Sequence, residues 1–411
     1  MFDLVIRRAR VATCAGLGAS GWDRLGVLDR AAIGIRGGRI TWVGLDVDAP
    51  AAPHVLDADG RVVLPGLVDP HTHLVFAGSR VDELARKLAG EDYRAIAAAG
   101  GGIVSSVRAT RAASDDLLHA RARGRALSLR SHGVTTVEVK SGYGLTPDDE
   151  LRSLAVGRWL EAEGIVRTTT TLLAAHAIPP EWKDDRAGYI GLVIERMLPM
   201  AAHHKYADAC DVYLDEGAFT AEEAWVILSA ALKHGLRVKA HVGQFRDLGG
   251  AELVARLGGL SCDHLEEVSN DGLEAMSDAD VIGVLLPGAW RTLRQRAPDA
   301  ARMRAHGVSI AVGTDCNPGT SACTDLPLCA ALAVRDAGLT LEEAVLGVTR
   351  VAADALGLPD VGRITAGAHA DLTIWDHDDP RIIAYAMGGL APDVVIMGGR
   401  IVQDGRIGRL W

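Results

Sequence analysis

In the stretch LPGLVDPHTH, His71 and His73 stand two residues apart at the end of a short apolar run. Side chains at i and i+2 of an extended segment point the same way, so both imidazoles can face one ion. Other short apolar runs also end in groups with a lone pair to offer or a proton to move. His241 closes VKAHV, His264 closes LSCDH, Asp315 closes SIAVGTD and His176 closes TTTTLLAAH, while Lys140 and Tyr143 follow VTTVEV in KSGYG. Three neutral imidazoles and one carboxylate from such a group suit Zn²⁺ or a similar divalent ion, whereas Mg²⁺ and Ca²⁺ prefer mostly oxygen ligands. An ion of this kind lowers the pKa of bound water towards about 7, and so yields hydroxide at neutral pH. Asp315 can both ligate and accept the water proton, and His264 can hydrogen-bond the attacking oxygen or stabilise developing charge.

For these residues to meet, the ends of the runs must lie on one side of the molecule. Eight runs, 67–71, 135–140, 168–174, 209–214, 237–242, 259–263, 281–286 and 309–314, each end in a polar residue or glycine and precede a helical pattern. Such alternation predicts parallel strands joined by crossover helices, and so an α/β fold, a (β/α)8 TIM-like barrel whose strand C-termini share one face. Helix starts agree: Thr220 with Glu223 and Thr340 with Glu343 are capping boxes in sequence, and Thr146 precedes Pro147. The chain ends differ, with short β-rich runs such as LVIRRARVAT and ADLTIWD between Gly and Asp turns. Isolated hairpins are marginally stable, so the two ends are expected to combine. The predicted organisation is a composite β-sandwich-like domain of residues 1–64 and 368–411 around a catalytic, metal-dependent barrel of residues 65–367.

The 411 residues suffice for a barrel and a smaller domain, and 48% hydrophobic with 23% charged residues is ordinary globular composition. A formal net charge of −10 opposes a nucleic-acid footprint, which needs clustered Lys and Arg. No long apolar stretch suggests a membrane span, and MFDLVIRRARV lacks the order of a signal peptide, so a cytoplasmic protein is expected. The six cysteines form no CxxC pair and are expected to be buried free thiols, with Cys316 singled out because it adjoins Asp315. The chain lacks a GxSxG elbow, and GGGI at 100–103 lacks the context of a phosphate cradle, which leaves a glycine-rich active-site loop. Lys140 is read as structural, with a carbamylated metal-bridging lysine as the alternative. No internal repeat is present, and histidines away from the run ends are assigned no chemistry.

LPGLVDPHTHLVFAGSR, GGGI, GVTTVEVKSGYGL, AAHAIPPEW, DHLE, VLLPGA and GTDCNPGTS occur in an order and spacing that resembles the amidohydrolase superfamily. SGYGL, AHAIPPE and DCNPGTS make the chain similar to its imidazolonepropionase family over nearly the whole length. The resemblance implies hydrolytic opening of 4-imidazolone-5-propanoate to N-formimidoyl-L-glutamate, a step of histidine degradation. It implies one divalent or trivalent metal ion per chain, zinc foremost and iron as the alternative, held by His71, His73, His241 and Asp315. Arg80 would bind the propanoate carboxylate. Tyr93, Tyr143, His176, Gln244 and Thr320 would line the substrate pocket, with Asn317 and Gly319 near the product. His264, Asp315 and Gln244 would be catalytic, and a homodimer is expected. Gly243 stands where the family usually carries an acid. That departure keeps open a related carboxylated ring, hydantoin-like or thio-substituted, or a heterocycle deaminase using the same metal chemistry.

Overall fold

The computed structural model describes residues 2–16, 22–91 and 101–405. The N-terminal segment forms β1 (Leu4–Ala12), β2 (Val27–Arg36), β3 (Arg39–Leu45), β4 (His54–Asp57) and β5 (Val62–Pro65). Eight strands follow, alternating with helices: β6 (Leu67–Asp69), β7 (Val134–Lys140), β8 (Arg167–Ala175), β9 (Ala209–Leu214), β10 (Arg237–Val242), β11 (Ser261–His264), β12 (Ile282–Leu285) and β13 (Ile310–Val312). The chain ends on β14 (Leu372–Trp375), β15 (Val394–Met397) and β16 (Arg400–Asp404).

Strands β6 to β13 pair in sequence order, every pair parallel, and each coincides with one of the eight apolar runs. The seam between β6 and β13 closes just beyond their ends. Thr72 bridges Cys316, Asp315 N–H donates to the His71 carbonyl at 3.0 Å, and His73 N–H donates to the Cys316 carbonyl at 3.0 Å. Buried Asp69 fastens the seam by accepting from Thr314 N at 3.0 Å and Thr314 Oγ1 at 2.6 Å. The first and last strands thereby deliver the HxH pair and Asp315 side by side.

Strand alternation decides what fills the barrel. In VTTVEVK every residue is buried, and Thr136, Glu138 and Lys140 share one face while Val137 and Val139 share the other. A strand covered on both faces reads as a continuous buried run. The helices start as expected: both capping boxes form, and Thr146 accepts from Asp149 N with Pro147 next in line. Thr340 opens the second helix after β13, with Leu326–Asp336 coming first.

The second sheet is mixed, in the order β16-β15-β14-β5-β1-β2-β3, with β4 beside β1. Strand β14 pairs antiparallel with β5, Leu372 opposite Pro65, which ties the two chain ends together. Its core joins Ile6, Val11, Ile33 and Val63 from one end to Leu372, Ile374, Val394 and Ile396 from the other. Neither end supplies that core alone. Among the described residues no helix is long and apolar enough to cross a membrane.

Candidate active site

At the C-terminal mouth of the barrel, one nitrogen from each of His71, His73 and His241 lies within 4.8 Å of the others. His71 Nε2 is 3.3 Å from His73 Nε2, and Asp315 Oδ1 is 3.5 Å from the first and 3.6 Å from the second. All four side chains are buried. Two carboxylates settle the tautomers: His71 Nδ1–H donates to Asp263 Oδ2 at 2.6 Å and His241 Nδ1–H to Asp211 Oδ1 at 3.0 Å, because an ionised carboxylate only accepts. Each Nε2 lone pair is left facing the cluster. Burial pushes His71 and His73 well below the usual imidazole range, with Lys140 next in effect on His71 and His71 on His73.

This arrangement fits a metal ion. His241 Nε2 is buried with no hydrogen-bond partner, a costly state for a polar atom unless something else takes its lone pair. Neutral imidazoles and a carboxylate form the donor set that zinc-type ions take. An outer carboxylate on the far ring nitrogen is the usual way to orient such ligands.

Beneath the cluster lies a buried ionic network on the inward face of four strands. Lys140 Nζ reaches Asp211 Oδ2 at 2.6 Å, Glu138 Oε2 at 3.0 Å and Asp263 Oδ2 at 3.2 Å. Lys239 Nζ reaches Glu138 Oε2 at 2.9 Å and donates to the Pro70 carbonyl at 3.1 Å. Burial alone would raise Asp263, but Lys239 and then Lys140 outweigh it and hold the carboxyl down at about 2. The three carboxylates outweigh burial at Lys140 and keep it an ammonium. It is thus an ion-pair centre behind the ligands, consistent with its structural reading.

His264 stands beside the cluster, its ring centroid 5.5 Å from that of His241 and 6.0 Å from that of His71. Its Nδ1 is 3.7 Å from Oε1 of Glu266, whose side chain is wholly buried. Burial lowers the imidazole, but Glu266 first, then Asp315 and Asp263, outweigh it and raise the pKa overall. The ring is therefore suited to give a proton or a charged hydrogen bond. Backbone strain aims it: His264 and Leu265 have φ of 86° and 74°, values that non-glycine residues hold only when their surroundings impose them. Asp315, also left-handed at φ 52°, is raised to about 6 by burial, against the pull of His264.

The other expected contacts surround this centre. His176 stacks on His73, centroids 5.3 Å apart and planes 14° apart, and its Nδ1–H donates to the Gly142 carbonyl at 3.0 Å. Tyr143 is buried with its ring 5.8 Å from His73 and 5.4 Å from His176. Gln244 Oε1 accepts from Tyr213 OH at 2.8 Å, leaving its amide NH₂ as a donor group. Arg80 Nε donates to Glu83 Oε2 at 2.9 Å, and a Cβ placed on Gly319 would lie 2.2 Å from Arg80 Nη1. Gly319 therefore makes room for the guanidinium. Asn317 turns its amide inward on the loop, giving Nδ2–H to the Asp315 carbonyl at 2.8 Å and accepting at Oδ1 from Gly319 N and Thr320 N. Thr320 Oγ1 is 3.4 Å from Asp315 Oδ2. Tyr93 lies outside the described residues.

The sequence matches the family model described as "Amidohydrolase family" over residues 62–402. An imidazolonepropionase of Acidiphilium cryptum is 48% identical over 397 residues, covering 95% of this chain and 96% of the relative. That of Paracoccus denitrificans is 47% identical, covering 92% and 95%. The chain belongs to the imidazolonepropionase family of amidohydrolases. Its barrel also resembles a 5-methylcytosine deaminase of Klebsiella pneumoniae, with TM-score 0.74 at 15% identity over 99% of both chains. An adenosine deaminase of Xanthomonas campestris with bound zinc gives TM-score 0.74 at 19% identity, covering 98% and 94%. Identities so low show a common fold only. The alternative of a heterocycle deaminase is not favoured, because imidazolonepropionases match this chain at 46–48% identity over more than nine-tenths of its length.

The glycine at 243 has a local reason. Gly243 sits at φ 62°, and a Cβ there would be 3.2 Å from Val268 N. The turn is held instead by Asp215, which accepts from Gln244 N at 2.8 Å, Phe245 N at 2.9 Å and Arg246 N at 3.1 Å. Sequence reasoning missed Asp211, Asp263, Lys239 and Glu266. One signal was available: ionisable residues recur at i and i+2 in VEVK and VKAH, the spacing of a common strand face.

Proposed function

We propose that this hydrolase opens 4-imidazolone-5-propanoate to N-formimidoyl-L-glutamate at a centre built on His71, His73, His241 and Asp315, with zinc, or else iron, as the resident ion. The observation that carries the reading is the convergence of three buried imidazole nitrogens with Asp315 in front of His264. Such an ion, when bound, acidifies water and polarises a carbonyl.

The residues have separable tasks in cleaving the ring amide. Water oxygen must bond to the ring carbonyl carbon, and the ring C–N bond must break. Asp315 takes the proton from the attacking water and returns it to the departing ring nitrogen, which balances the hydrolysis. His264 donates to the carbonyl oxygen as negative charge gathers there. Arg80 holds the propanoate carboxylate, and Glu83, bound also by Gly102 N at 3.1 Å and Ser105 Oγ at 2.9 Å, holds Arg80. The Gln244 amide and the Tyr143 and His176 rings orient the ring plane, with Thr320 steadying Asp315.

The test is turnover of freshly prepared imidazolone propanoate by metal-assayed protein, followed by ultraviolet absorbance and by mass spectrometry of the product. The expected outcome is N-formimidoyl-glutamate formed by protein holding one ion per chain. Fully metal-loaded protein without turnover would overturn the reading.

A further inference from the structure

Of the six cysteines, Cys14, Cys210, Cys262, Cys316 and Cys329 are buried, and Cys323 is the partly exposed one. The sequence singles out Cys316, which adjoins Asp315. In the structure Cys316 is 3% exposed and burial pushes its thiol up, which makes it inert. The unusual thiol is Cys323, at the downstream end of the loop that carries Asp315, Asn317, Gly319 and Thr320.

Helix-start geometry brings a second sulfur to it. Asp325 caps the helix Leu326–Asp336 by accepting from Leu328 N at 2.9 Å. Helical side chains lean towards the N-terminus of their helix, so Cys329, near that end, leans back over the cap. Its Sγ is 3.9 Å from Cys323 Sγ, and Asp325 N–H donates to Cys323 Sγ at 3.5 Å. The segment between them is anchored, with Thr324 Oγ1 2.7 Å from Ser128 Oγ.

We propose that Cys323 and Cys329 are a peroxide-reactive dithiol that closes to an intramolecular disulfide at the foot of the active-site loop. The hydrogen bond from Cys329 draws the Cys323 thiol down to about 7, against burial, so a thiolate is present at neutral pH. That thiolate attacks one oxygen of hydrogen peroxide, the O–O bond breaks, and a sulfenic acid forms while the departing hydroxide takes up the proton the thiol had given and leaves as one water. The Cys329 sulfur then attacks the Cys323 sulfur. The S–S bond forms, the sulfenic hydroxyl leaves with the Cys329 proton as a second water, and two thiols have given two electrons to the peroxide. A disulfide needs about 2.05 Å between sulfurs, so its formation requires the two to close from 3.9 Å.

The experiment uses reduced, full-length protein exposed to low equivalents of hydrogen peroxide, then unfolded in an alkylating reagent and weighed intact. The expected product carries two alkyl groups fewer than the six of the reduced chain. Peptide mapping should join position 323 to 329, and dithiothreitol should restore the full count. Cys323→Ser should keep its remaining thiols under the same exposure. Cys329→Ser, which keeps a donor beside Cys323 Sγ but cannot form the disulfide, should accumulate a sulfenic acid at Cys323 that a 1,3-diketone captures. Intact thiols in the wild type, oxidation beginning at another cysteine, or a lasting Cys323 sulfenic acid in the wild type would each overturn the proposal. Because the readout is thiol chemistry, it stands or falls independently of the reaction assigned to the barrel mouth.

Discussion

Asp263 accepts the Nδ1–H of His71 at 2.6 Å with both side chains wholly shut from solvent. The ring is locked in the tautomer that turns its Nε2 lone pair towards His73 and Asp315. Asp263→Asn should therefore fold but bind metal more weakly, on the order of 10- to 100-fold, the scale for losing an outer partner of a ligating histidine. Competition with a chelator, alongside circular dichroism, measures it. Wild-type affinity in the variant would show that the ring needs no carboxylate behind it.

The two buried lysines should separate in their effects. Lys140 touches both carboxylates that orient ligands, whereas Lys239 pairs with Glu138 and the Pro70 carbonyl and acts on one of those carboxylates, Asp263, through its charge without an ion-pair contact. Breaking a buried ion pair costs about 3–5 kcal/mol, so Lys140→Met and Lys239→Met should both lower Tm. Metal affinity of the folded protein should fall much further for Lys140→Met. Equal affinities in the two variants would sink the distinction.

His264→Asn should retain its metal and lose kcat by about 10²-fold or more, the scale for one acid, base or charge-stabilising group. Metal analysis and steady-state rates on the same preparation are the check. A metal-free variant would place His264 among the ligands.

Arg80→Ala should harm the carboxylated substrate far more than the same ring without its propanoate. A hydrogen bond to a charged group is worth about 1.5–3 kcal/mol, or roughly 10- to 150-fold in kcat/KM. The two proteins and two substrates make a double cycle whose coupling isolates the pairing. Equal losses on both rings would make Arg80 a structural residue.

Gly319→Ala tests the same contact from the other side. Its new methyl would meet Arg80 Nη1 at 2.2 Å, and the flexible guanidinium should yield before the backbone does. The expected result is a raised KM for the carboxylated ring with metal content and Tm near wild type. An unchanged KM would mean that Arg80 keeps its place by another route.

The sequence by itself determined the elements and where they present their chemistry. The apolar runs closed by His71, His241, His264 and Asp315 became parallel strands because each run is long enough for a strand and is followed by its own helix start. Tertiary structure alone decided the partners. Asp263 lies 192 residues from His71, and Asp211 lies 30 from His241. Barrel closure likewise set Gly319 against Arg80, and the helix cap at Asp325 turned Cys329 onto Cys323. Periodicity records which face of its own strand or helix a side chain takes, because backbone geometry repeats locally. Which charges then meet inside the barrel depends on strand order and register, and these arise only when distant segments pack together.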